Sequence, residues 1–175
     1  MAFDNAPVNP TELPRLAEAP LVPVADSYPR YRALRSALRW APLVALAAVV
    51  PPAYGLPVAA AAALLTLAGA AAVAATALAW LEARRRAWGL RERDLLYRRG
   101  LLVRRLTVLP LARVQHMETA SGPLERGLGL ARLSCFTAGG ASADLVLEGL
   151  QRESADAVRQ YVLARIPERE DGTGG

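Results

Sequence analysis

Seven arginines, Arg84, Arg85, Arg86, Arg91, Arg93, Arg98 and Arg99, fall within sixteen residues. Guanidinium groups at that density bind anions, whether carboxylates, lipid phosphates or a nucleic-acid backbone. Arg104, Arg105 and Arg113 could extend the patch. Nucleic acid is the weakest of the three partners, because neither interleaved aromatics nor a recognition helix accompanies the arginines. Little else in the chain could do chemistry. His116 is the sole histidine, and without a second ligand or a base partner it reads as structural. Cys135 is the sole cysteine, so there is neither a disulfide framework nor a cysteine zinc site. It alternates with Leu133 on an inward face and reads as a small core residue rather than a nucleophile. The chain carries no P-loop, metal-binding cluster, nucleophile elbow or dinucleotide fingerprint. These residues predict a protein that is not an enzyme and needs no cofactor or metal.

The arginines follow an element that fixes their place. From Trp40 to Trp80 the chain runs 41 residues without a charged side chain. A Pro/Gly-rich turn, Pro51-Pro52-Ala53-Tyr54-Gly55-Leu56-Pro57, cuts it once. A bilayer core about 30 Å thick takes roughly 20 helical residues to cross, and lipid offers the backbone no partners, so each half should be helical. The spacing predicts a transmembrane hairpin over 30–86, with helices at about 34–51 and 57–83. Arg30, Arg32, Arg35 and Arg39 lie before it, the seven arginines after it, and none in its loop. By the positive-inside rule both flanks stay in the cytoplasm. Trp40 and Trp80 would sit at the inner boundary and Tyr54 at the outer one. In the second helix, Gly69, Ala72, Ala75 and Thr76 would let another helix approach closely, or would pack only on the first helix.

Composition agrees with a bacterial membrane protein. Apolar residues make up 53%, the net charge is +5, and all 21 basic residues are arginine. Residues 1–29, with six prolines and no periodicity, read as a disordered, Pro-rich acidic cytoplasmic tail. No secretory signal peptide is visible.

After the hairpin the texture changes to short runs between turns. Candidate strands are 88–92, 94–99, 101–109, 114–121, 131–137 and 142–148. Residues 101–109 change phase at Arg104-Arg105, which suggests a bulge or a kink. Glu118, Asp144 and Glu148 look like solvated strand edges. Residues 154–166 carry an apolar stripe at Ala155, Val158, Val162 and Ile166, with Ser154 as cap. A domain over 87–166 is then antiparallel strands closed by one amphipathic helix, with a second disordered tail at 167–175. The fold class is an α+β membrane protein.

Three blocks carry a resemblance. Pro110-Leu111-Ala112-Arg113-Val114-Gln115 is followed by Gly122-Pro123-Leu124-Glu125-Arg126-Gly127-Leu128-Gly129, then by Thr137-Ala138-Gly139-Gly140. This order resembles the bacterial pleckstrin-homology (PH) domain family, specifically its YdbS-like membrane proteins. The resemblance implies a seven-stranded PH-like β-sandwich, almost a barrel, plugged by a C-terminal helix. It also implies a hetero-complex with a larger membrane protein carrying several such domains. Phosphoinositide binding, known for eukaryotic PH domains, does not transfer through the fold.

The residues themselves admit structural roles. Pro110 ends a strand. Arg113 would make a structural ion pair or hold phosphate, and Arg126 would be a buried or half-buried residue fixing its loop. Gly139-Gly140 would make a hairpin turn. The expected function is protein–protein assembly at the inner membrane, with the partner a PH-domain membrane protein or a second copy. The alternative is an anionic-lipid-binding or envelope-stress module acting through the arginine cluster.

Overall fold

The computed structural model describes residues 21–137 and 143–165. In chain order they form β1 (Val22–Pro23), α1 (Tyr28–Ala53), α2 (Val58–Arg84), β2 (Ala87–Leu90), β3 (Asp94–Arg99) and β4 (Arg105–Pro110). A 3-10 turn at Leu111–Arg113 leads to β5 (Val114–Ala120), α3 (Pro123–Gly127), β6 (Leu130–Thr137), β7 (Leu145–Gln151) and α4 (Arg152–Leu163).

The two apolar helices form the expected hairpin and are long and apolar enough to cross a membrane. Neither apolar window is buried inside the chain, unlike the core helices of a soluble protein. At 26 and 27 residues each is about 40 Å long. The first begins at Tyr28, six residues before the expected start at 34, with Pro29 preorganising its first turn. It also runs through Pro51 and Pro52 to Ala53. The closing turn has Gly55 at φ 69°. There Gly55 N–H donates to the Pro52 carbonyl (3.1 Å) and Leu56 N–H to that of Pro51 (3.0 Å), which satisfies carbonyls the helix end leaves open.

The strands make two antiparallel sheets, in order β1-β2-β3-β4 and β5-β6-β7. Their inner faces share one core with α4. Leu95, Tyr97 and Leu109 come from the first sheet, Leu133, Cys135 and Leu147 from the second, and Ala155, Val158 and Val162 from the helix. The alternation of β6 and β7 is as the sequence predicts, with Leu133, Cys135, Leu145 and Leu147 inward.

Four expectations need correction. Residues 21–29 are built into the fold rather than belonging to a disordered tail; residues 1–20 and 166–175 lie outside the described residues. Val22 pairs with Trp88 and Pro23 with Ala87, which supplies the seventh strand. The hairpin is therefore inserted between β1 and β2, and a domain boundary at 87 cuts the sheet. Residues 101–103 form a tip between β3 and β4, so the phase change at Arg104-Arg105 marks the start of β4, not a bulge or kink within one strand. The register shifts lie instead at Val114/His116 and Ala131/Leu133. Finally, α4 starts at Arg152 and Ser154 does not cap it.

Candidate functional site

The arginine cluster does not form one surface. Arg91 and Arg93 sit at the β2–β3 turn, where Arg91 N–H donates to the Asp94 carbonyl (2.8 Å). Arg98 and Arg99 sit at the other end of the same strand, about 20 Å away at some 3.3 Å per residue. That other end adjoins the hairpin. Arg84, Arg85, Arg98 and Arg104 line a notch of about 320 Å³ together with Gly100. Arg84 also lies over the Trp80 ring, 4.7 Å from its centroid, a cation–π contact that ties the notch to the apolar helix.

Arg86, expected at the membrane surface, is buried at 8% exposure. The reason is local. The helix ends at Arg84, Arg85 turns, and the next side chain swings under the sheet. Arg86 Nε donates to Glu82 Oε1 (2.7 Å). Its Nη1 donates to Tyr28 Oη (2.8 Å) and Tyr97 Oη (3.1 Å), and it pairs with the Glu148 carboxylate. Tyr28 Oη donates to Glu148 Oε2 at 3.0 Å, and Tyr97 Oη to the Glu148 carbonyl at 3.2 Å. Arg32 adds an ion pair to Glu82 at 3.5 Å. One guanidinium thus joins α1, α2, β3 and β7, and locks the hairpin to the sandwich. Glu148 is a member of this network, not a solvated strand edge.

Around it, Ala25 N–H donates to the Gly149 carbonyl (2.8 Å) and Ser27 Oγ to that of Leu128 (3.1 Å). Val24, Tyr28, Tyr31, Ala83 and Leu130 form a second small core beneath.

Burial pushes the Glu148 carboxyl up, but the hydrogen bond and charge of Arg86 outweigh it and hold the group below its usual range. A depressed folded-state value contributes stability that is present above the unfolded value of about 4.3 and lost as the pH falls through the folded one. Below about pH 4.3, Glu148→Gln should therefore show a flatter decline in melting temperature than the unsubstituted chain, although it melts lower at neutral pH. Parallel curves below that pH would remove Glu148 from the acid response. Burial likewise raises the Tyr97 phenol against the opposing Arg86 charge. It pushes the Cys135 thiol up to about 12, so that thiol stays protonated and inert, as a core residue should.

The motif residues are mostly architectural. Pro110 ends β4, and Arg113 and Gln115 are exposed on either side of Val114. Arg113 makes no ion pair among the described residues. Gly122 N–H donates to Glu125 Oε2 (2.8 Å), and Pro123 opens α3. The buried residue of that loop is Glu125, at 4% exposure, with Arg132 at 3.4 Å; Arg126, expected to be buried or half-buried, is exposed. Gly129 has φ 68°, a left-handed conformation that suits glycine. Thr137 donates through N–H (2.9 Å) and Oγ1 (2.6 Å) to Asp144 Oδ2, and these bonds hold the Asp144 carboxyl low. Gly139 and Gly140 lie outside the described residues. His116 is exposed beside Glu118 at 3.6 Å. Among the described residues no three metal-ligating side chains cluster.

The small residues of the second helix divide between two faces. Ala72 and Thr76 line an apolar groove of about 820 Å³ along the hairpin, with Ala37, Ala41, Ala45 and Ala48 opposite. Ala75 lines a polar notch on the other side with Arg32, Arg35 and Arg39. Thr76 Oγ1 donates across to Ser36 Oγ (3.4 Å). Gly69 is half-buried, and a methyl there would meet nothing within 4 Å.

Two sheets of four and three strands closed by a C-terminal helix make a PH-like domain, here carried on an apolar helical hairpin. The chain belongs to the Bacterial PH domain family, whose family model matches residues 36–166, from within α1 onward. No curated protein and no solved structure matches the chain. A PH-like domain is a module for protein or lipid contact, generally without catalysis of its own.

Proposed function

We propose that this chain is a non-enzymatic assembly module of the bacterial inner membrane. The hairpin crosses the bilayer twice, both termini are cytoplasmic, and the groove along it receives a helix of a partner membrane protein. The YdbS-like resemblance makes that partner a larger protein with several PH-like domains. The observation that carries this reading is the groove itself. It is apolar, lined by alanines from both helices, and runs about 22 Å from Ala33 to Ala48 at 1.5 Å per residue, crossing the expected inner boundary at Trp40 and Trp80, which also line it. Small residues on both walls let a third helix approach closely, which is how helices associate in lipid. The β1–β2 pairing across the hairpin supports the two-span topology. Strands on either side of an inserted segment can pair only if its two ends emerge on the same face.

The test is gentle extraction of the tagged chain from its native membrane, followed by native mass measurement. A stoichiometric membrane protein should accompany it. Ala72→Leu, which fills the groove, should reduce that partner at least ten-fold. Leu67→Phe, on an exposed face away from the groove, should leave it unchanged. A chain that always emerges alone would overturn the reading.

A further inference from the structure

The tip between β3 and β4 carries an arrangement that neither assembly nor the fold requires. Leu102 is 94% exposed and Val103 71%, the first being the most exposed large apolar side chain described. Neither supports the core. Four arginines flank them in sequence, Arg98 and Arg99 before, Arg104 and Arg105 after. The tip is tightly turned. Gly100 has φ 103°, and a Cβ there would run into the Val103 carbonyl oxygen. The apolar pair is therefore presented on a constrained turn. Arg98 and Arg104 curl back from its two legs to line the notch of about 320 Å³ with Arg84 and Arg85 at the end of α2.

Position decides what meets this surface. Arg84 lies over Trp80, whose amphipathic ring belongs at the headgroup level. The notch is thus within one helical turn, about 6 Å, of the bilayer boundary. Two exposed aliphatic side chains beside four guanidinium groups match the interface, where acyl chains begin and lipid phosphates lie.

We infer that the β3–β4 tip is a membrane wedge. Leu102 and Val103 enter the headgroup layer, and the notch of Arg84, Arg85, Arg98 and Arg104 takes the phosphate of an anionic phospholipid. This third membrane contact, beside the two helices, fixes the face of the domain turned to the bilayer. It rests on the membrane-spanning reading of the hairpin.

The experiment uses the full chain in nanodiscs of phosphatidylcholine with or without phosphatidylglycerol. An environment-sensitive fluorophore is placed at Leu102→Cys or, separately, at Leu67→Cys in the middle of α2. Lipids carrying a shallow nitroxide act as quencher. The buried Cys135 thiol does not compete for label. The Leu102 probe should be quenched at least two-fold with phosphatidylglycerol present. Arg98→Gln with Arg104→Gln should abolish most of that quenching, while the Leu67 probe, reporting the hairpin, stays lipid-exposed throughout. A lipid-exposed Leu67 probe with an unquenched Leu102 probe would overturn the wedge and leave the hairpin reading standing. If neither probe senses lipid, both fail. Equal quenching in phosphatidylcholine alone, whose phosphate is offset by its choline, would remove the site for an anionic phospholipid.

Discussion

Arg86→Ala should destabilise the chain by about 3–5 kcal/mol, because it leaves the half-buried carboxylates of Glu82 and Glu148 without their shared cation. The two tyrosine hydroxyls that meet the same guanidinium lose a partner as well. The check is chemical unfolding of the detergent-extracted chain followed through its aromatic signal. Arg84→Ala, at an exposed site two positions before Arg86 and outside the buried network, is the matched control and should cost no more than about 1 kcal/mol, the size of its cation–π contact with Trp80. Adding Glu148→Gln to Arg86→Ala should cost less than the two separate losses combined, since the second change removes the charge that the first stranded. An Arg86→Ala chain as stable as the Arg84→Ala control would mean that the junction is held by the small apolar core around Tyr28 alone.

Gly149→Ala carries the second large effect, for two reasons that can be separated. Gly149 has φ 81°, and a Cβ there would sit 2.5–2.8 Å from three carbons of the Tyr28 ring. The backbone conformation costs an alanine about 1–2 kcal/mol, and forcing a ring aside in a filled site costs about 1–3 kcal/mol more. We expect a total loss of about 3 kcal/mol. In a Tyr28→Ala background the ring is gone, so the same glycine substitution should cost only the backbone part. The two changes should therefore couple by at least about 1 kcal/mol. Identical costs in both backgrounds would show that the ring moves away freely.

How far these features are legible in the sequence depends on whether they leave a pattern. The hairpin does: 41 uncharged residues interrupted by prolines and a glycine have few other physical solutions. The inner faces of β6 and β7 do too, since Leu133, Cys135, Leu145 and Leu147 obey a two-residue period. The first strand does not, because two residues are too short to show any period, and they sit in a proline-rich stretch that otherwise resembles a tail. The tip at residues 101–103 misleads for the opposite reason. Three apolar residues beside a strand look like more strand, and nothing in their types says that they point away from the core.

The arginine cluster shows the limit most clearly. Arg84, Arg85 and Arg86 are identical in type, yet two line an exposed notch and one is buried. What separates them is the rotation of the chain as it leaves the helix, a property of backbone geometry. A faint signal existed in Glu82, an acidic residue placed just past the apolar run and four positions before Arg86, the spacing of a helical ion pair. Glu148 left no such trace. Alternation correctly set it opposite Leu147, but that outer face is covered by the hairpin rather than by water. Its partner lies 62 residues earlier, out of reach of any local pattern.

The interruption of the first sheet by the hairpin has a consequence for biogenesis. Val22 and Pro23 leave the ribosome first and must wait through the whole hairpin before their partner strand is made. Tyr28 waits longer, until Glu148 and Gly149 are synthesised near the end. The domain can therefore complete its fold only after the whole hairpin is made, and only with both hairpin ends on one side. On the proposed two-span topology, a chain inserted only halfway strands its first strand across the bilayer. Its sheet edge then stays open and Arg86 lacks Tyr28. Membrane topology and domain folding would be checked in a single step.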